Sequence, residues 1–442
     1  MKQLKTFPKG GVHPADHKAL AADQAIRRAD PPSVYVIPMA QHLGKPADCT
    51  VSSGDQVTEG MVLGSSSGFI SAPVHSPVNG TVKEIVTLQL PNGQKTQALI
   101  LEALESQEEP PVYTPSEDWK NLDKQALLER IASMGVVGLG GATFPAHVKF
   151  TVPKGSKVDY FIVNGVECEP YLTADYRLML EETPGILQGI DVVRSLLQPE
   201  HIVIGIENNK PEALRVMRDA VEALDFPVEV VPLKLKYPQG DEKQLIKAVT
   251  GREVPSGGLP IAVGAVVSNV ATLYGVYEAV VLGKPLTERL VTVTGQGIQK
   301  PANLKVKIGT SVAELIEQCG GFVKKPVKIV SGGPMMGFSL SDLNTPVTKG
   351  TGGILVLTEE EVDRKNTTAC LQCGRCVQVC PMGLHPTRLY KWIDHLDYEA
   401  AAAEGLMDCK ECGSCAYSCP ARIPLVQGMK LGKLMIRKKK AN

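Results

Sequence analysis

Three features of the 442-residue sequence predict an α/β multidomain fold. Apolar strands alternate with amphipathic helical stretches between residues 119 and 285, the pattern of a parallel sheet with helices on both faces. Residues 33–104 are rich in Val, Ile and Thr in short runs broken by Gly and Pro, which reads as all-β. Two identical cysteine runs lie in a helix-favouring C-terminal region. At roughly 100–200 residues per domain, the length suffices for two to four domains. The 47 Lys and Arg balance the 47 Asp and Glu, which argues against nucleic acid as a main partner. No window reaches the ~18 uninterrupted apolar residues of a spanning helix. The best candidate, Ala262 to Leu282, carries Ser268, Asn269, Thr272 and Glu278 and reads as a buried helix. Met1-Lys2-Gln3-Leu4-Lys5 has no apolar run behind it and predicts no secretory signal, so a cytosolic chain is expected.

Residues 1–32 form a polar lead-in punctuated by Gly10-Gly11-Val12-His13-Pro14, with His13 as a turn residue. In 33–104, Val51 to Val57, Gly60 to Leu63 and Ile70 to Val82 resemble the barrel-sandwich hybrid of biotinyl and lipoyl domains. The expected hairpin tip, Gly64-Ser-Ser-Ser-Gly68, lacks the lysine of a carrier, so a scaffold or docking role is expected. Glu105 to Asp118, with Pro110, Pro111 and Pro115, is a linker. In 119–285, a helix over Leu127–Met134 precedes strands at Tyr160–Val163 and Ile202–Ile206. Helices are expected around Ile186–Leu197, Glu212–Leu224, Glu242–Val249 and Ala271–Leu282. Residues 286–358 return to short strands around one helix, Val312 to Gln318, a small α+β module. Residues 359–442 hold the cysteines and end in the basic tail Arg437-Lys-Lys-Lys440, read as solvated.

Eight of the eleven cysteines fall between Cys370 and Cys419. Cys370, Cys373, Cys376 and Cys380-Pro381 form one run; Cys409, Cys412, Cys415 and Cys419-Pro420 form the other. Both match C-x₂-C-x₂-C-x₃-C-P, in which three thiolates wrap one iron–sulfur cube and the fourth ligates the other. This assigns Cys370, Cys373, Cys376 and Cys419 to one 4Fe–4S cluster, and Cys409, Cys412, Cys415 and Cys380 to the second. Disulfides do not suit a chain without export signals, and zinc favours separated C-x₂-C knuckles. Lys391 to Asp408, with its Ala-rich centre, predicts a helix between the runs. Cys49 and Cys319 read as buried free thiols.

Gly138-Leu-Gly140-Gly141-Ala142-Thr-Phe144-Pro145, with Lys149 behind it, has the composition of a phosphate loop, because glycine N–H groups approach an anion closely. It is neither a Walker loop nor a Rossmann fingerprint, and alone it is equally an ordinary glycine turn. Three segments accompany it: Asn164-Gly-Val-Glu167-Cys168-Glu169-Pro170 after a strand, Tyr237-Pro-Gln-Gly-Asp241-Glu242, and Ser268-Asn269-Val-Ala-Thr272-Leu273. Helix capping is the simplest role for Asp241.

Together these segments resemble the NADH-binding flavoprotein subunit of respiratory complex I. With the N-terminal barrel-sandwich domain and the helical 4Fe–4S dicluster domain, the whole chain resembles the RnfC family, peripheral subunits of the ion-translocating Rnf NAD:ferredoxin oxidoreductase complexes. The 286–358 module, with Ser331-Gly-Gly-Pro-Met-Met-Gly337, resembles the β-grasp (SLBB) domain of the same families. The resemblance implies FMN on Gly138, Gly140, Gly141, Ala142 and Lys149, with Lys149 near its phosphate. Asn164, Glu167, Asp241, Asn269 and Thr272 would bind its ribityl and ring edges, Phe144 would stack on NAD(H), and Glu169 and Glu242 would contact NADH hydroxyls. Departures from the complex I pattern are Thr143, Asp241, Ala271 and Leu139. The implied partners are a further iron–sulfur subunit and integral membrane subunits, with ferredoxin reached indirectly, at the cytoplasmic face of the inner membrane.

NADH gives up two electrons as a hydride and each cluster takes one; a flavin does both, so hydride transfer from nicotinamide C4 to flavin N5 is expected, with no general acid or base. Two alternatives remain. A microcompartment cobalamin reductase shares the flavin fold and clusters, but a barrel-sandwich domain precedes Gly138 here. An electron-wiring adaptor without a working nucleotide site draws support from Thr143 and Ala271.

Overall fold

The computed structural model describes residues 4–104, 111–363 and 365–441. Part of the expected linker, 105–110, lies outside the described residues. The barrel-sandwich region consists of two antiparallel sheets. One orders Val34–Pro38, Lys95–Ala103, Gly80–Gln89 and Gln56–Val57; the other orders Asp48–Cys49, Val62–Ser65 and Val74–His75. Alternation along these strands turns Tyr35, Ile37, Leu63, Val82, Leu99 and Leu101 inward to a sealed core. Gly64 does not lie at a tip: it sits inside Val62–Ser65, where a Cβ would come within 2.7 Å of Met39 Sδ. Cys49 is only half buried, whereas Cys319 is fully buried.

A four-stranded parallel sheet follows, ordered Glu229–Leu233, His201–Glu207, Tyr160–Asn164 and Ala265–Asn269. The chain starts at Tyr160–Asn164, runs outward through two strands, then returns to the other side of the first. The strand order therefore reverses between Tyr160–Asn164 and Ala265–Asn269, and open α/β sheets bind ligands outside the carboxyl ends of such a pair. Helix Thr183–Leu197 crosses Val270–Val280 so closely that a Cβ at Gly189 would lie 1.9 Å from the Leu273 carbonyl oxygen. The run Ala262–Leu282 is not one helix. Ala265–Asn269 is a buried strand and Asn269 caps the helix Val270–Val280, accepting from Ala271 N at 2.9 Å. A short, wholly apolar stretch carries no period that separates strand from helix, and the β-branched Val266-Val267 pair favours the strand.

The third sheet orders Ile26–Arg28, Ala302–Lys307, Glu288–Thr294, Gly353–Leu357, Lys328–Ser331 and Phe338–Ser339, with helix Val312–Gln318 packed on its core. Its edge strand comes from the N-terminal segment, paired parallel to 303–305. The C-terminal region is helical: Arg375–Gln378, Pro386–Asp394, Tyr398–Ala403, Ser414–Tyr417 and Leu425–Ala441. The helix expected over Lys391–Asp408 is broken, because Leu396 adopts φ +61° and Asp397 starts a second helix by accepting from Ala400 N at 2.9 Å.

Candidate functional site

The glycine loop hangs over the reversal of the parallel sheet. Asn164 and Asn269 end the two central strands as register partners. Gly138 N donates to the Phe144 carbonyl at 2.8 Å, closing the loop on itself, and Leu139 N donates to Thr272 Oγ1 at 2.8 Å, pinning it to helix Val270–Val280. Thr272 and Asn269 thus belong to the loop's support. A Cβ at Gly140 would lie 3.1 Å from Asn269 Cβ, so the loop rests directly on that cap. Gly141, at φ +121°, has nothing within 4 Å of where its Cβ would project, and Gly140, Gly141 and Ala142 are exposed around this open space. Phe144 is half buried at the loop's end, and Leu43 of the barrel-sandwich region donates its N–H to the Thr143 carbonyl at 3.1 Å.

Lys149 reaches the carboxyl edge of the sheet, donating to the Val267 carbonyl (3.1 Å) and to Glu242 Oε1 (2.9 Å). Asn164 Nδ2 donates to the Gly240 carbonyl at 2.9 Å while its Oδ1 accepts from Val166 N, so it shapes its own turn. Asp241 caps helix Glu242–Thr250 through Gln244 N; burial holds its carboxyl above the usual range, and Lys410 of the cysteine region is the foremost opposing charge. Glu169 is engaged by the Gly332–Gly337 loop: it accepts from Met335 N (3.1 Å) and from the Tyr237 hydroxyl (3.3 Å). Two of the residues assigned to nucleotide contacts, Glu169 and Asp241, therefore spend their carboxylates on structure in this conformation.

Glu167 differs. Its backbone is left-handed at φ +47°, its Oε1 accepts from Asp175 N at 2.7 Å, and its buried Oε2 has no hydrogen-bond partner. An orphaned buried acceptor beside a glycine loop with open space above it fits a polyhydroxylated, phosphorylated cofactor such as FMN. Burial raises the Glu167 carboxyl from the ordinary 4.5 to about 7. A carboxyl whose value is higher folded than unfolded stabilises the fold below its unfolded value, and that contribution is lost as pH rises through the folded one. Glu167→Gln, neutral throughout, is expected to remove on the order of 3 kcal/mol of that pH-dependent loss. Thermal melts from about pH 5 to pH 8 should then shift less than in the parent; parallel curves contradict this.

Three supporting residues carry no signal in the sequence. Asp175 accepts from Asn269 Nδ2 at 2.6 Å, buried Arg289 donates to the Leu139 carbonyl at 3.3 Å, and Lys18 lies 3.6 Å from Glu167 Oε2. Each reaches the site from a distant part of the chain, so no local spacing marks it.

The two cysteine runs fold alike. Gln372 and Gly374 in the first, and Glu411 and Gly413 in the second, all adopt positive φ. Gln372 N donates to Cys370 Sγ and Glu411 N to Cys409 Sγ, both at 3.4 Å. Cys380, Cys409, Cys412 and Cys415 line one cavity, which brings the fourth cysteine of the first run to the three of the second. Burial pushes the Cys409 thiol up to about 11 and Cys415 higher still, with neighbouring cysteines adding repulsion. Such sulfurs become thiolate ligands when a cationic metal centre supplies the compensating charge. This donor set suits an iron–sulfur cluster. Cys370 and Cys373 are exposed, whereas Cys376 is buried in an apolar cluster shared with Cys415 and Cys419.

Residues 5–106 match the family model of the RnfC barrel sandwich hybrid domain, 131–278 the Nuo51 FMN-binding domain, 290–339 the SLBB domain and 362–426 a 4Fe-4S dicluster domain. FMN and two 4Fe–4S clusters are the cofactors of this architecture. The chain is 46% identical over 386 residues to the RnfC protein of the proton-translocating ferredoxin:NAD(+) oxidoreductase complex of Clostridium ljungdahlii, covering 87% of this chain and 84% of that one. It is 39% identical over 436 residues to the Na(+)-translocating counterpart of Acetobacterium woodii, covering 98% of each. A solved NAD+-reducing [NiFe]-hydrogenase chain in the H2-reduced state shares the fold at TM-score 0.50 and 17% identity, over 74% of this chain and 64% of that one. The chain belongs to the RnfC family of ion-translocating ferredoxin:NAD(+) oxidoreductase complexes.

Proposed function

We propose that this chain is the peripheral subunit that exchanges electrons with NADH, in either direction, within a membrane-bound ion-translocating NAD:ferredoxin oxidoreductase. One observation carries the reading: the sheet's ligand crevice and the cysteine cavity adjoin. Asn164 holds Gly240, and three residues earlier Tyr237 packs against Cys412, with Cys168 and Val12 beside them. Bound FMN would match the two-electron hydride of NADH to one-electron clusters.

The chain's own residues position and shield. The Gly138–Pro145 loop and Lys149 would hold the flavin phosphate, Asn269 and Thr272 fix that loop, and Phe144 would face the nicotinamide dinucleotide. The Cys380, Cys409, Cys412 and Cys415 set, buried against Tyr237, is the inner electron station. The Cys370, Cys373, Cys376 and Cys419 set, with Leu371 66% exposed beside it, is the outer one that faces a partner iron–sulfur subunit. Among the described residues no helix is long and apolar enough to cross a membrane, and we infer attachment to the cytoplasmic face through integral subunits.

Anaerobic purification with metal, sulfide and flavin analysis, followed by NADH titration, tests the reading. The expected result is one flavin band that bleaches with NADH together with iron–sulfur absorbance. Iron–sulfur colour without bleaching would instead mark a wiring adaptor.

A further inference from the structure

The N-terminal segment is threaded between the flavin-site turn and the cysteine region. Gly11 N donates to the Val379 carbonyl at 2.9 Å, and Gly10, at φ +66°, lies so close to Cys380 that a Cβ would come within 2.6 Å of its backbone. Val12 pairs with Tyr237 through two backbone hydrogen bonds, at 2.8 and 2.9 Å. Farther along, the Asp16 carbonyl accepts from Tyr171 N at 2.7 Å, and the His17 ring stacks on the Tyr171 ring at 4.6 Å and 13°.

These contacts deliver Lys18, 7% exposed, to the underside of the turn that holds Glu167. Its ammonium donates to the carbonyls of Glu169 (3.0 Å) and Leu172 and lies 3.6 Å from Glu167 Oε2. The other buried ammonium here, Lys210, donates to the Val166 carbonyl at 2.7 Å. A non-glycine residue held at positive φ costs of order 1–3 kcal/mol and persists only where its surroundings over-determine it. Here two ammonium groups grip the carbonyls on either side of Glu167. Lys18 is also the cation nearest to the carboxylate oxygen that no hydrogen bond satisfies. Removing it would strip a buried carboxylate of its main opposing charge, which is expensive.

We propose that Lys18 is a positioning residue of the nucleotide site: it locks the Glu167–Leu172 turn and aims the open Glu167 oxygen at a hydrogen-bond donor of the bound dinucleotide or flavin, an amide N–H or a hydroxyl. The inference rests on Glu167 being a ligand contact, as in the function proposed above. The site is thus completed by a segment from outside the α/β domain.

The test uses the full chain with its cofactors, with NADH as donor and an artificial one-electron acceptor. Lys18→Met keeps the aliphatic stem and removes the charge. It is expected to retain flavin and iron while raising KM for NADH about tenfold, with kcat within about twofold. Lys18→Arg is expected to recover most of the lost affinity. KM unchanged in Lys18→Met overturns the proposal, as does equal loss of flavin in Lys18→Met and Lys18→Arg. If Lys18→Met does not accumulate, Lys18→Arg decides: a measurable KM change with kcat intact supports the role, and none overturns it. Glu167→Gln separates the two layers. If it leaves KM unmoved, the ligand role of Glu167 fails; if it raises KM while Lys18→Met does not, only the Lys18 inference fails.

Discussion

Cys380→Ala is expected to empty the inner cluster site while sparing the outer one, although Cys380 belongs to the same sequence run as Cys370, Cys373 and Cys376. The reason is geometric. Cys380 lines a cavity with Cys409, Cys412 and Cys415, held there by the turn at Pro381–Leu384, whose Leu384 N donates to Cys380 Sγ at 3.4 Å. Iron is expected to fall from about eight to about four per chain, and one of two electron paramagnetic resonance signals of the reduced protein to vanish. NADH should still bleach the flavin, but the outer cluster should be reduced far more slowly. Cys419→Ala is expected to give the mirror result: the outer signal is lost, while NADH still reduces the inner cluster promptly. Loss of the Cys370-side cluster on changing Cys380 would refute the crossed ligation, and prompt outer-cluster reduction in Cys380→Ala would refute the order of the stations.

The second large effect concerns Gly140. Its absent side chain is what lets the loop lie on Asn269, since even a Cβ would stand 3.1 Å from Asn269 Cβ and 3.3 Å from Cγ. The two extra methyls of Gly140→Val have nowhere to go, because Asn269 is fixed at three points: its Oδ1 caps a helix, and its Nδ2 bonds Asp175 and the Asn164 carbonyl. Either the loop lifts or the cap breaks, and both spoil the cradle. Overpacking of this kind costs about 1–3 kcal/mol, and the resulting displacement falls on the flavin loop. Flavin content after purification is expected to drop more than about tenfold, with iron and sulfide unchanged. A variant that keeps its flavin would show that the loop does not form the cradle.

The cysteine runs were legible because cluster ligation ties covalent chemistry to fixed short spacings, and the same four-residue logic recurs at 370–380 and 409–419. The α/β alternation was legible from periodicity, and the comparisons bear out the fold class, the family and the cofactors it implied. What was hidden is non-local. Nothing in Lys18 or Arg289 announces that each will be buried against a carbonyl or carboxylate from another domain, and Asp175 gains meaning only when Asn269 meets it. Residues 262–282 misled for a different reason. An unbroken apolar stretch satisfies a buried strand and a buried helix equally, and the single decisive residue, Asn269, reads as a blemish in a helix until its side chain is seen capping one.

The exposure of Cys370 and Cys373 carries a physiological consequence. Oxygen diffusing from bulk water meets the outer cube with two of its sulfur ligands unshielded, while the inner cube is walled in by Tyr237, Met335 and the threaded N-terminal segment. Damage in air would begin at the exit, not at the entrance. A bacterium caught in a brief oxic episode would hold subunits that still accept reducing equivalents from the nicotinamide pool yet cannot discharge them, and repair would need only one cubane rebuilt on an otherwise intact polypeptide.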